Sequence, residues 1–142
     1  MFLAFLLLKE TSCQKIVLNA VALSLNENNH IYSSLISEFN KYSDINNLGV
    51  KVKLNVFTLR NSTSIADNFE TMIETLLIRK STKYDLYFYD QIYSNKLGQF
   101  FIDLNKYLDV NHIKMFDQNI IEQTCYYKDR LVGIVIIFCK NN

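Results

Sequence analysis

The sequence contains no proline and only three glycines among its 142 residues. Average usage would give roughly ten glycines and seven prolines in a chain of this length. Their scarcity excludes collagen-like sequences and proline-rich linkers. Each glycine stands alone, so the chain has no glycine-rich phosphate loop, no dinucleotide fingerprint and no GxSxG nucleophile motif.

The chain also lacks an excess of either charge. It has 15 basic and 14 acidic side chains, which give a formal net charge of +1. Nucleic-acid-binding proteins usually show a basic patch or a high isoelectric point, so we predict no nucleic-acid partner. Hydrophobic residues make up 49% of the chain, which is enough to form the core of one domain and excludes disorder.

Cysteine is scarce as well, with only Cys13, Cys125 and Cys139 present. The last two flank a predicted hairpin whose turn lies near Asp129. That register places Cys125 opposite about Gly133, several residues short of Cys139, and so argues against a disulfide between them. The chain has no CxxC motif.

The first residues form an apolar run, residues 1–8, which is too short to span a bilayer. We interpret residues 1–13 as a signal peptide, truncated or complete, with cleavage before Gln14. The alternative is a buried first strand. Asn61 begins the N-glycosylation sequon Asn-Ser-Thr, which predicts a glycan at Asn61 if the protein is secreted.

Strand and helix patterns alternate after this leader. Residues 16–25 read as an apolar strand buried on both faces, residues 50–57 as an alternating strand nearer a sheet edge, and residues 84–90 as a third strand. The order β-α-β-α-β predicts an α/β fold with a doubly wound, mainly parallel sheet.

Two amphipathic helices connect these strands. The first has Asn28 or Asn29 as its cap, and the second opens with the capping-box spacing Ser64 to Asp67. The apolar face predicted for the first helix consists of Ile31, Leu35, Ile36 and Phe39. The face predicted for the second consists of Ile65, Phe69, Met72, Ile73, Leu76 and Leu77.

Beyond residue 90 the pattern predicts short helical pieces at 91–96 and 120–125, a hairpin at 126–132 and a final strand at 131–138. His30 and His112 are isolated, so we predict no metal site and no cofactor. Asp85 and Asp90 lie five residues apart on one strand and would point to opposite faces, so they cannot form a catalytic carboxylate pair. We therefore predict a protein that is not an enzyme.

Three runs resemble the first lobe of extracellular solute-binding proteins of the type II periplasmic-binding-protein-like class. They are KYDLYFYD at 83–90, FIDLNKYL at 101–108 and YKDRLVGI at 127–134. The resemblance looks closest to fungal members, some of which are ectodomains of seven-helix receptors. The sequence departs from the family at Val135, where members carry proline, and in the residues that follow. The resemblance implies that residues 14–142 form the first lobe and that the second lobe is missing.

The resemblance implies that a small polar solute, a carbohydrate in particular, binds in a cleft between two lobes on the extracellular side. Ligands of open α/β sheets bind at the carboxyl ends of the strands. The candidate binding residues in those segments are Ser24, Asn26, Arg60, Asp90 and Tyr93. The alternative function is a ligand-binding receptor ectodomain, whose membrane or transporter portion lies outside this chain.

Each candidate also has a structural interpretation. The resemblance to sugar-binding members makes Asp90 the strongest candidate for accepting hydrogen bonds from ligand hydroxyls, but Asp90 could equally cap the following turn. Tyr93 could stack on a sugar face, and Arg60 could bind a ligand carboxylate or lie solvated in a loop. Tyr87 and Tyr89 share one strand face and are predicted to pack rather than bind.

Overall fold

The structure, a computed structural model, describes residues 15–24, 30–58 and 68–135. Its main sheet has three parallel strands, β1 (Ile16–Ser24), β2 (Val50–Thr58) and β3 (Leu86–Tyr87), in the order β2-β1-β3. The α/β class and the parallel sheet predicted from the sequence are thus confirmed. The leader, the sequon at Asn61 and the capping box lie outside the described residues.

Strand β1 is the centre of the sheet, as its continuous apolar composition predicts. Ala20, Val21 and Ala22 are completely buried. β2 pairs along the whole length of β1, from Ile16 opposite Val50 to the strand ends. Its alternating exposure agrees with the predicted edge position.

Strand β3 is shorter than residues 84–90, the range predicted from the sequence, but its flanks continue the pairing. The Asp85 N–H donates to the Asn19 carbonyl at 2.7 Å, and the Phe88 N–H donates to the Val21 carbonyl at 2.9 Å. The extended segment therefore lies beside β1 from Asp85 to Phe88.

Helix α2 (Phe69–Ile78) covers one face of the sheet. Its Phe69 and Ile73 join Val21, Tyr84 and Leu97 in the larger hydrophobic core. Met72, Leu76 and Leu77 pack against this core, so the apolar face predicted for the helix is confirmed for the residues that the structure describes.

Helix α1 (His30–Ile45) lies against the opposite face and along β2, and its predicted apolar face is only partly right. Ile36 is half-buried, but Ile31 is 42% and Leu35 37% exposed. The side that faces the sheet instead includes Asn40 and Ser43. The helix is therefore rotated from the orientation that hydrophobicity alone predicts.

Polar side chains determine that rotation. The Asn40 amide pairs with both main-chain groups of Val52, since Nδ2 donates to the Val52 carbonyl at 2.9 Å and Oδ1 accepts from its N–H at 2.8 Å. The Ser43 hydroxyl donates to the Val50 carbonyl. These bonds pair the Val50 carbonyl and both main-chain groups of Val52 at the edge of β2, where unpaired groups would otherwise invite another strand.

The remainder of the described chain consists of short elements. The helices are α3 (Ser94–Leu97), α4 (Val110–Ile113) and α5 (Gln118–Thr124), with 3₁₀ turns at Gln91–Tyr93, Gly98–Phe100 and Leu104–Lys106. Three of them begin at an aspartate whose carboxylate accepts a main-chain N–H two residues ahead, namely Asp103, Asp109 and Asp117. The helical pieces predicted from the sequence are confirmed.

Ion pairs connect this part to α2. The Lys96 ammonium lies 2.7 Å from a carboxylate oxygen of Glu70 and 2.9 Å from one of Glu74. The hydrogen bonds that the ammonium donates to these two carboxylates raise the pKa of Lys96 to about 12. α3 is therefore held against α2 by charge as well as through Leu97.

The predicted hairpin is present as β4 (Tyr126–Tyr127) and β5 (Arg130–Leu131), antiparallel to each other. Its register differs by one residue from the prediction, because Cys125 lies opposite Val132 rather than Gly133. Cys125 is a buried free thiol. The predicted final strand at 131–138 begins in β5, but residues 132–135 are not in a strand and the remainder lies outside the described residues.

Within the described ranges, no helix is both long enough and apolar enough to cross a bilayer.

Candidate functional site

A cavity of about 650 Å³ runs along the outer edge of β3, on the side away from β1. We call it the β3 cavity. Its walls come from β3 and its flanks, from the segment after α3, and from residues 132–135, which follow the hairpin. Aromatic rings form much of the lining: Tyr32, Tyr84, Tyr87, Phe88, Tyr89, Phe100 and Phe101.

One end of the cavity lies at the carboxyl end of β3, and Tyr32 and Asp90 both line the cavity. Tyr32 is in the first turn of α1, and its ring packs against Phe88 with the centroids 5.3 Å apart. Burial raises the pKa of the Tyr32 hydroxyl, and the negative charge of Asp90 raises it further. The packing of α1 over the sheet thus brings together two side chains that are far apart in sequence.

Asp90 caps the turn that follows β3, which is the structural role that the sequence offered for it beside ligand binding. Its Oδ1 accepts the Ile92 N–H at 3.2 Å, and its carbonyl accepts the Tyr93 N–H at 3.0 Å. The side chain remains exposed. No hydrogen bond to Oδ2 joins it to another described residue, so capping leaves this oxygen able to accept a hydrogen bond from a ligand.

The middle of the cavity is lined by packed aromatic residues. Tyr89 stacks on Phe101 with centroids 5.4 Å apart, and Tyr87 contacts the same ring at 5.7 Å. Burial raises the pKa of Tyr89, and the nearby Cys125 raises it further, while a hydrogen bond with Ser94 acts in the opposite direction. Tyr87 and Tyr89 pack against the core, as the sequence predicted.

Asp85, at the other end of the cavity, has a structural partner. Its Oδ2 accepts the Asn19 N–H at 2.8 Å, which ties the start of β3 to β1. Five residues of extended chain span roughly 16 Å, so Asp85 and Asp90 lie at opposite ends of the β3 cavity.

The other predicted binding residues are placed differently. Ser24 ends β1 as a buried residue opposite Thr58. Tyr93 packs against the larger core and is not among the residues that line the β3 cavity. Asn26 and Arg60 lie outside the described residues, as does Asn61.

The described residues that line the cavity carry charge of only one sign. Asp85 and Asp90 contribute two carboxylates, and none of the described lining residues is lysine, arginine or histidine. These described residues offer no counter-charge to a carboxylate or phosphate ligand, whereas hydroxyl groups can donate hydrogen bonds to the carboxylates. In the portion of the chain that the structure describes, no three potential metal-ligating side chains lie together.

Tyr32 was not predicted as a site residue, because only the fold brings it to this cavity. The available signal was its spacing of four residues from Ile36, which puts both side chains on one helix face. Hydrophobicity favoured a different face of the helix, because Ile31 and Leu35 are more apolar than Tyr32, although the structure leaves both of them exposed.

No family model, curated protein or solved structure matches this chain.

Proposed function

We propose that this chain is one lobe of an extracellular, two-lobed solute-binding protein of the type II periplasmic-binding-protein-like class. The solute is a small, uncharged, polar molecule, a carbohydrate in particular. It binds at the Asp90 end of the β3 cavity, and a second lobe closes over it. Closure of two lobes around a ligand converts binding into a change of shape.

The observation that carries this proposal is that Tyr32, Phe88 and Asp90 line one cavity at the carboxyl end of a parallel sheet. Ligands of open α/β sheets bind at that end. A sugar has an apolar face, which an aromatic ring can cover. It also has hydroxyl groups, which can donate hydrogen bonds to a carboxylate. The two carboxylates of the lining, with no basic side chain among its described residues, favour an uncharged solute.

One lobe alone should bind weakly. Binding pockets usually enclose roughly 70–90% of a ligand's surface, and this chain supplies one wall. We therefore expect the chain to bind sugars with Kd no tighter than about 1 mM, which corresponds to about −4 kcal/mol. Titration by NMR, with a panel of mono- and disaccharides, detects affinities in this range.

The decisive variants are Asp90→Asn and Asp90→Ala, compared with Asp85→Asn. Asparagine caps turns about as well as aspartate, so Asp90→Asn should keep the melting temperature and weaken sugar binding at least tenfold. Asp90→Ala should lose the cap as well, at a cost of about 1 kcal/mol. Asp85→Asn should leave affinity unchanged, because that carboxylate serves Asn19.

Two results would contradict this assignment. Unchanged sugar affinity in Asp90→Asn would remove the carboxylate from the site. Failure of the chain to bind any sugar of the panel, even at tens of millimolar, would contradict the proposed function, because half of a site should still retain some contacts.

A further inference from the structure

The middle of the β3 cavity is bordered by the main-chain donor and acceptor of Tyr87. In a parallel ladder, alternate residues of a strand bond to the same neighbour. The Phe88 N–H donates to the Val21 carbonyl of β1, so the N–H and carbonyl of Tyr87 are directed away from β1 and toward the cavity. Among the described residues, no strand pairs with this edge of β3. A main-chain donor and acceptor in an apolar place cost free energy unless a partner pairs with them.

The opposite edge of the same sheet shows which chemistry pairs with two such groups. There the carboxamide of Asn40 meets the main chain of Val52, since Nδ2 donates to the carbonyl at 2.9 Å and Oδ1 accepts the N–H at 2.8 Å. A planar group with a donor and an acceptor side by side therefore matches one residue of an extended strand. Heterocyclic bases carry such pairs of groups along their edges.

The wall of the cavity on the side of α3 and α5 suits a planar ring. Tyr89 stacks on Phe101 with the ring centroids 5.4 Å apart. Hydroxyl groups in this wall are bonded within the protein, because Ser94 forms a hydrogen bond with Tyr89 and the Thr124 hydroxyl donates to the Ile120 carbonyl at 2.7 Å. A heteroaromatic ring binds between such walls by stacking and needs hydrogen bonds only at its edge.

The spacing along β3 matches the length of a nucleoside. Tyr87 and Asp90 are three residues apart, which is roughly 10 Å of extended chain. This length is close to the distance from the hydrogen-bonding edge of a base to the hydroxyl groups of its ribose. The cavity of about 650 Å³ lies within the roughly 300–1,000 Å³ typical of small-molecule sites, and a sugar ring alone would fill only part of it.

We infer that the middle of the β3 cavity is a base-binding subsite and that the solute is a nucleoside. The base stacks among the aromatic rings and pairs edge-on with the N–H and carbonyl of Tyr87, while the ribose hydroxyls donate hydrogen bonds to the Asp90 carboxylate. This inference rests on the proposed function, because it keeps the sugar at the Asp90 end, and it adds the class of the solute. Asp85 and Asp90, with no basic side chain among the described lining residues, favour a nucleoside over a nucleotide.

The test is NMR titration of the full chain with adenosine, uridine and methyl β-D-ribofuranoside, which has the sugar without a base. At least one of the two nucleosides should bind at least tenfold more tightly than the methyl riboside and should shift the Tyr87 amide signal. Loss of the base donor should reverse this gain, because a site built to pair with a donor rejects an analogue that lacks it. Purine riboside lacks the amino group of adenosine, and N-methylated uridine lacks the ring N–H. Each should bind at least fivefold more weakly than its parent.

A protein variant tests where the base lies. Gly133 lines the cavity, and a Cβ at this residue would lie 3.5 Å from the Tyr89 hydroxyl. Gly133→Leu should therefore fill the space beside Tyr89, weaken nucleoside binding at least tenfold and leave the affinity for methyl riboside unchanged. The matched control Gly133→Ala should bind both ligands as the unaltered chain does. The donor-deficient nucleosides test the same site on the unaltered chain, so the inference does not depend on the folding of Gly133→Leu.

Separate results decide the inference and the proposed function. Equal affinities for nucleosides and methyl riboside, in a chain that still binds sugars, overturn the base subsite and leave the proposed function standing. The inference also fails if nucleoside binding persists in a folded Gly133→Leu variant. It fails as well if the Tyr87 amide of the ligand-free chain is protected from hydrogen exchange as strongly as the Phe88 amide, because the chain itself then pairs with Tyr87. Nucleoside affinity that is unchanged in Asp90→Asn supports the base subsite and contradicts the proposed place of the sugar.

Discussion

Gly98 occupies a position that has no room for a side chain. A Cβ at this residue would lie 2.6 Å from the Tyr127 Cβ and 3.2 Å from a methyl carbon of Val132. The guanidinium of Arg130 bonds to the Gly98 and Phe101 carbonyls, which holds the hairpin against this segment. Because Tyr127 approaches with its Cβ rather than a flexible side-chain end, relief requires a shift of the main chain.

We therefore expect Gly98→Ala to destabilise the protein by about 1–3 kcal/mol, the usual cost of overpacking. The control is Gly133→Ala, whose Cβ would meet only the Tyr89 hydroxyl at 3.5 Å, an ordinary contact. Urea denaturation of both variants measures the difference. Equal stability of the two variants would show that the hairpin does not pack against Gly98 as closely as the structure has it.

Asn40 gives a second prediction at this scale. Replacement by alanine leaves both main-chain groups of Val52 without their amide partner, at a cost of about 1–3 kcal/mol. Its exposed neighbour Lys41 is the control, and Lys41→Ala should change stability by less than about 0.5 kcal/mol. If chemical denaturation finds the two variants alike, the side-chain pairing does not hold α1 to the edge of β2.

At the scale of the element, both long helices end in the same way despite the shortage of glycine. After α2, the Lys80 N–H donates to the Leu77 carbonyl and the Ser81 N–H to the Leu76 carbonyl, with Lys80 at φ 51°. α1 ends in the same pattern, with Asn47 at φ 52°. These are Schellman ends, in which the left-handed residue is usually glycine.

Lys80→Gly should therefore stabilise the protein. The left-handed conformation costs a non-glycine residue about 1–2 kcal/mol, and the greater freedom of glycine in the unfolded chain offsets part of this, which leaves a gain of about 0.5 kcal/mol. The preceding residue is the matched control: Arg79 has φ −76°, so Arg79→Gly should cost about 0.5–1 kcal/mol. Thermal melting should separate the two variants in opposite directions, and a loss of stability in Lys80→Gly would argue against this helix end.

At the scale of the whole molecule, several groups make stability fall in alkaline solution. Burial raises the pKa of the Tyr32, Tyr87 and Tyr89 hydroxyls above 10.0, and carboxylates raise the pKa of Lys96 from 10.5 to about 12. In each case the folded state holds its proton more tightly than the unfolded state. The stabilisation is therefore complete below about pH 10 and is lost as the pH rises through the folded-state values.

We expect the melting temperature to be level from pH 8 to 9.5 and to fall steadily between pH 10 and 12. Lys96→Met should start lower at pH 8 and fall less steeply, because it has already lost the ion pairs with Glu70 and Glu74. The control Lys41→Met should follow the unaltered chain. A melting temperature that stays constant to pH 12 would contradict the burial of these tyrosines.

The order of elements, the central position of β1 and the edge position of β2 could be predicted from the sequence, because apolar periodicity reports how many faces of a strand are covered. The inward face of α2 and the hairpin could be predicted for the same local reason. Asp90 was predicted as a binding residue from its place after a strand and from the family resemblance, and its binding role stays a prediction.

Only the tertiary structure decided the rotation of α1, because the Asn40 and Ser43 hydrogen bonds to β2 join residues on different elements and outweigh the exposure of Ile31 and Leu35. It also decided that Tyr32 lines the same cavity as Asp90 and that Tyr93 packs into the core instead of lining the cavity. A periodic pattern specifies which side chains are apolar, but partners distant in sequence meet only when the elements pack, and the position of a site depends on those partners.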